Sequence, residues 1–272
     1  MITFCYKLAT LWFLFRLNLL QVYISATSNS QSAAIISGTK AELGQFPWYV
    51  LLKRNKKDKL LCGASLISNK WVLTCAHCID DEVSVVLVFG TIKRTNMEVF
   101  MTSKKFFIHP AYDDEYLFND IGLIELHTPV TFNDNIKAIE LISPADAAKN
   151  QLLGAEAIIA GYGQTTDNIR KYSLWLLYAS VAVVNKTICE EAYEEQIEDS
   201  VICTKASNNS KESACDGDSG GPLVWKNAAN KFVQIGISSF SMVNECSKFP
   251  SGYTRVSSYY DYIHNITGLN FN

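Results

Sequence analysis

Apolar residues along this chain come in short runs. Trp48-Tyr49-Val50-Leu51-Leu52, Ala64-Ser65-Leu66-Ile67, Trp71-Val72-Leu73, Val83 to Phe89, Ile121 to Leu126, Ala155 to Ala160 and Val233 to Ser238 are examples. Rich in Val, Ile and aromatic side chains and separated by Gly, Asn and Pro, they predict strands joined by turns. Many short strands punctuated in this way predict antiparallel barrels or a sandwich. Two segments read as helical. Asn185 to Glu195 is charged, and Val256 to Ile266 spaces Val256, Tyr259, Tyr260 and Ile263 roughly three and four apart, an amphipathic pattern. Around Ile142 to Leu153 the strand signals pause and the sequence turns polar, the natural connection between two halves. There is no repeat and no low-complexity tract.

The first residues follow a different pattern. Lys7 gives a positive flank, Leu8 to Phe15 is nearly all apolar, and Ile24-Ser25-Ala26 offers small residues for a peptidase. Residues 1–26 therefore read as a secretory signal and 27–34 as a short propeptide. Arg16, Asn18 and Gln21 interrupt the apolar stretch. A membrane span needs about 20 nearly unbroken apolar residues, so no anchor is expected. Secretion permits disulfides, and with Cys5 in the signal seven cysteines remain, an odd number that leaves one thiol over. It also makes the sequons at Asn185, Asn208 and Asn265 candidate glycan sites.

The 272 residues carry 24 basic and 27 acidic side chains, a balance that gives no electrostatic footprint for nucleic acid. Candidate chemistry lies in three places. In Cys215-Asp216-Gly217-Asp218-Ser219-Gly220-Gly221-Pro222, a glycine on each side of a serine allows a tight turn that exposes a hydroxyl and aims backbone N–H groups at one point. Its plain alternative is a Gly-rich hairpin loop. In Leu73-Thr74-Cys75-Ala76-His77-Cys78, the His beside cysteines could be a metal ligand, but no second Cys/His pair follows and a general base fits better. In Asn119-Asp120-Ile121, an Asp before an apolar strand is a turn residue unless it meets His77 in space.

Taken together, His77, Asp120 and Ser219, 43 and 99 residues apart in that order, resemble the chymotrypsin family of serine proteases. The resemblance runs from Ile35 to about Ile266. It includes Ile35-Ile36-Ser37-Gly38, Gly44-Gln45-Phe46-Pro47-Trp48, Cys62-Gly63-Ala64-Ser65-Leu66-Ile67, Gly161-Tyr162-Gly163 and Pro250-Ser251-Gly252-Tyr253-Thr254-Arg255-Val256. The implied fold is all-β: two six-stranded antiparallel barrels, about 35–145 and 146–255, and a C-terminal helix over 256–267. The implied activity is a secreted, extracellular endopeptidase with the catalytic triad His77, Asp120 and Ser219 and an oxyanion hole from the N–H groups of Gly217 and Ser219. The reversed order of the triad, Ser then acid then His, would instead mark a lipase or esterase.

The resemblance also implies the pairs Cys62–Cys78, Cys189–Cys203 and Cys215–Cys246. Cys75, where the family carries a small residue such as Ala, is left over as a buried small hydrophobe, with a regulatory thiol as the sharper alternative. Activation would free the ammonium of Ile35 to pair with Asp218. Ala34 before Ile35 argues against a trypsin-like activator. The primary pocket would have Ser213 at its base and Ser239, Phe240, Ser241 and Ser251 on its walls, which implies chymotrypsin- or elastase-like cleavage after apolar residues. No cofactor and no metal are implied, since Thr91 to Glu98 offers calcium only Glu98 as a carboxylate. Expected partners are protein or peptide substrates and protein inhibitors of a monomeric enzyme, with no nucleic acid and no membrane.

Overall fold

The computed structural model describes residues 35–57, 60–149, 152–207 and 210–271. The signal and propeptide readings, Ala34 and the Asn208 sequon fall outside the described residues. Nearly every apolar run becomes a strand. In chain order these are β1 (Thr39–Lys40), β2 (Tyr49–Lys53), β3 (Cys62–Leu66), β4 (Trp71–Thr74), β5 (Val85–Phe89), β6 (Val99–Ser103), β7 (Phe106–Ile108) and β8 (Gly122–Glu125). They continue as β9 (Glu140–Leu141), β10 (Glu156–Gly161), β11 (Leu177–Val184), β12 (Val201–Ala206), β13 (Pro222–Lys226), β14 (Phe232–Phe240) and β15 (Ser251–Arg255).

Two sheets share them. The second, in the order β11-β10-β13-β14-β15-β12, closes on itself because β12 also pairs with β11, a six-stranded antiparallel barrel. The first runs β6-β5-β2-β3-β4-β8-β7 and is a half-barrel with seven members rather than a closed set of six. Its two end strands are consecutive in the chain, separated only by Lys104 and Lys105. One strand bends there, pairing with β5 before the bend and with β8 after it. The Ser103 hydroxyl, which donates to the Glu125 carbonyl at 2.7 Å, ties the bend to β8.

The halves exchange short pieces. β1 pairs with β11, and β9 pairs in parallel with β14, so residues before 145 contribute to the second sheet. The polar connection holds a short helix, α1 (Pro144–Ala148), capped by the Ser143 hydroxyl, which accepts from the Asp146 N–H. The charged segment forms α2 (Thr187–Tyr193), and a 3-10 turn over Val256–Tyr259 leads into α3 (Tyr260–Thr267). Val256, Tyr259 and Ile263 belong to the same buried cluster as β2, β4 and β5, so the C-terminal helix emerges from the second barrel and packs on the first sheet. All five residues of β2 and of β5 are buried, which is why they read as unbroken apolar runs. β11 alternates buried and half-buried positions, as a strand with one partly solvated face does. Among the described residues no helix is long and apolar enough to cross a membrane.

Candidate functional site

His77 stands in a single 3-10 turn, Ala76–Cys78, where β4 ends. Asp120 comes two residues before β8, and the pairing of β4 with β8 brings it to His77 across 43 residues. The Asp120 carboxylate is fully buried, so each oxygen needs a donor. Oδ1 accepts from the His77 backbone N–H at 3.0 Å, and Oδ2 lies 2.8 Å from His77 Nδ1. A third donor comes from the other barrel, the Ser239 hydroxyl at 2.6 Å from Oδ2. Thr254 Oγ1 donates to the Asp120 carbonyl at 2.7 Å. Ser239 therefore does more than wall a pocket: it anchors the carboxylate. Thr254 is a site residue the sequence reading did not single out.

Ser219 sits in a turn fixed from both sides. Its carbonyl accepts from Gly63 of β3 at 2.8 Å, and the Gly220 N–H donates to the Ser238 carbonyl of β14 at 2.8 Å. The flanking glycines answer to steric demands. Gly217 has φ +91° and Gly220 φ +76°, and at Gly220 a Cβ would collide with Thr74 Oγ1 and the Gly63 carbonyl. Among the described residues the N–H groups of Gly217 and Ser219 donate to no acceptor. Ser219 and His77 line one cleft of about 380 Å³ and are not hydrogen-bonded to each other. Hydrogen bonds of this kind often tighten only around a bound substrate.

Ser239, Phe240 and Ser241 line the same cleft. Ser213 and Ser251 do not. Both are buried, with their hydroxyls 3.3 Å apart, so each polar group is satisfied by its neighbour. The Phe240 ring meets Tyr193 edge-on at 5.2 Å and fills the space over Gly252 that a side chain would need. Asp216, on the rim, accepts from the Tyr172 hydroxyl at 2.7 Å. Asp218 is buried and accepts from the N–H groups of Gly163 at 2.8 Å and Cys215 at 3.0 Å, without a cation beside it among the described residues. Burial pushes its pKa up to about 7, against the pull of those two N–H donors. Ile35 is fully buried, with φ 47°, a strained value for a β-branched residue.

The cysteines pair as Cys62–Cys78, Cys189–Cys203 and Cys215–Cys246. Cys75 is free and buried. Its Sγ lies 3.0 Å from Cys78 Sγ and 3.5 Å from His77 Nε2. Burial pushes this thiol up, and the neighbouring imidazole only partly offsets that. Burial works to lower the pKa of His77, but Cys75 and the Asp120 carboxylate outweigh it and the net direction is up. Because burial holds Cys75 as a neutral thiol, the share that acts at neutral pH is that of Asp120. Asn185 and Asn265 are both exposed.

Comparison with known proteins agrees with this layout. A family model described as Trypsin matches residues 35–263. A collagenase of Hypoderma lineatum is 34% identical over 241 residues, covering 87% of this chain and 88% of that protein. Venom serine protease 34 of Apis mellifera is 33% identical over 84% of this chain and 57% of its own length. Vitamin K-dependent protein C of Mus musculus is 30% identical over 86% of this chain and 52% of its own length. The chain thus spans most of the collagenase and about half of the other two.

Proposed function

Because this chain belongs to the trypsin family and is a serine endopeptidase, we propose that it cleaves protein or peptide substrates through an acyl-enzyme on Ser219, after apolar residues. The observation that carries this reading is the buried Asp120 carboxylate 2.8 Å from His77 Nδ1, with His77 and Ser219 on one cleft. Asp120 keeps the proton on Nδ1, which leaves Nε2 to take the Ser219 proton as Oγ attacks the scissile carbonyl. The imidazolium then gives that proton to the leaving amine. The free N–H groups of Gly217 and Ser219 receive the oxyanion, each worth about 10²–10³ in rate. Water repeats the sequence on the acyl-enzyme.

The apolar preference rests on Ser213 and Ser251. Neither supplies the negative charge that would hold Arg or Lys, and their hydroxyls, 3.3 Å apart, are buried against each other rather than lining the cleft. Ser241 narrows its mouth, and Phe240 offers an apolar face to the substrate backbone. Asp216 disfavours acidic neighbours in the substrate.

Activation follows from the buried, uncompensated Asp218. A cut before Ile35 supplies an ammonium for that carboxylate and relieves the strained φ of Ile35. The enzyme is then a secreted monomer, subject to protein inhibitors, with glycans on the exposed Asn185 and Asn265. The test is a peptide library presented to the chain beginning at Ile35, with Ser219→Ala as control. Cleavage after apolar residues, absent in the control, is expected. Cleavage after Arg or Lys would remove the specificity reading, and no cleavage by folded protein would remove the catalytic one.

A further inference from the structure

From the sequence alone, the Cys-x-His-Cys string lacks a second ligand pair. In space a fourth group joins it: the sulfurs of Cys62, Cys75 and Cys78 and a ring nitrogen of His77 all lie within 4.8 Å of one another. The Cys62–Cys78 disulfide withdraws two of those sulfurs as ligands. Two donors are left, Cys75 Sγ and His77 Nε2, 3.5 Å apart.

That separation has chemical content. A tetrahedral zinc-class ion holds sulfur at ~2.3 Å and imidazole nitrogen at ~2.0–2.1 Å, which places the two ligand atoms about 3.5 Å from each other. The imidazole is also set for coordination. Its Nδ1 is engaged by the Asp120 carboxylate at 2.8 Å, so Nε2 carries the lone pair. A carboxylate behind the ligating histidine is the arrangement that orients imidazoles at metal centres. Of the two donors His77 lines the cleft and gives an ion its way in, while Cys75 is fully buried against the imidazole.

We propose that Cys75 Sγ and His77 Nε2 form a two-point site for a borderline-soft divalent cation, zinc above all, and that its occupation switches the peptidase off. Binding forms one metal–sulfur and one metal–nitrogen bond, sends the Cys75 thiol proton to solvent, and releases the hydrated ion's surplus waters as it becomes tetrahedral. The remaining coordination positions keep water from the cleft, and nothing is oxidised or reduced. An occupied Nε2 cannot accept the proton of Ser219. The inhibition therefore rests on His77 acting as the base, whereas the site itself does not.

The first test uses cobalt(II) on the full chain carrying Ser219→Ala, read by thiolate-to-cobalt charge-transfer absorption in the near ultraviolet. A band that saturates at one equivalent, is displaced by zinc and is lost when Cys75→Ala is added is expected. The second is zinc inhibition of the parent peptidase, each variant compared with its own rate in chelator. Cys75→Ala should weaken inhibition about tenfold or more, the scale on which metal sites respond to loss of a supporting group. Cys75→Ser, closer in size, serves as a second variant should Cys75→Ala fold poorly. No band at saturating cobalt, in protein whose Cys75 thiol is alkylatable after unfolding, overturns the proposal. So does zinc inhibition of equal strength in the Cys75 variants. If the parent shows no peptidase activity at all, the functional reading fails and the absorption band still decides the site.

Discussion

At the scale of single residues, the Asp120 carboxylate is where the two halves of the molecule meet. Its two donors from His77 belong to the first sheet, and its third, the Ser239 hydroxyl, comes from β14 of the second. A hydrogen bond to a charged group contributes about 1.5–3 kcal/mol. Ser239→Ala should therefore lower kcat roughly tenfold or more, and because Ser239 also faces the cleft, KM is the control. A loss confined to KM would mean that Ser239 only touches substrate. In Ser251→Gly the buried hydroxyl opposite Ser213 disappears, which leaves room for the cleft to deepen toward Ser213. Its profile in the peptide library should move toward Phe and Tyr, and an unchanged profile would place the size limit elsewhere, at Ser241. The sequence made His77, Asp120 and Ser219 legible because each sits in a recognisable string of neighbours. It could not do the same for Thr254 and for the second role of Ser239, since those contacts span 134 and 119 residues and no local pattern encodes them.

At the scale of elements, strand positions were readable wherever both faces are buried, as in β2 and β5, since an unbroken apolar run leaves little ambiguity. The bent strand β6–β7 was harder to read. Val99 and Phe100 are exposed and the bend falls on two lysines, so hydrophobic periodicity gives no clear signal there. The C-terminal helix was legible from its spacing, but its destination on the first sheet was not, because a helix's apolar stripe does not say which core it covers. Disulfides do on this scale what hydrogen bonds do on the last. Cys189–Cys203 staples α2 to β12 across a separation of 14 residues. A loop of that size is worth about 3 kcal/mol. The double variant Cys189→Ala, Cys203→Ala should unfold roughly 6–12 °C lower. Calorimetry checks this, and an unchanged Tm would show that α2 is held by packing alone.

At the scale of the whole molecule, the proposed activation becomes a question of where one proton resides. Asp218 ordinarily would lose its proton near 3.8, yet burial raises it to about 7. The folded uncut chain therefore keeps a proton that the unfolded chain gives up, and stability is lost as pH rises from about 4 to about 7, with no further loss above. Three pKa units correspond to about 4 kcal/mol, and for a chain of this size to a fall in Tm of roughly 8–16 °C. An ammonium on Ile35 reverses the balance, because a cation beside the carboxylate favours its charged form and removes the penalty. Two chains carrying Ser219→Ala isolate the effect: one beginning at Thr27, the other at Ile35. Apart from the terminal amino group itself, every other titrating group is common to both, so only the difference between their Tm profiles matters. That difference should widen in favour of the cut chain between pH 4 and pH 7 and stay constant to about pH 8. Asp218→Asn in the uncut chain should flatten its own profile over the same range. Parallel profiles would mean that Asp218 finds its counter-charge before any cut, and the proteolytic step would then act on the Ser219 loop by some route other than this buried pair.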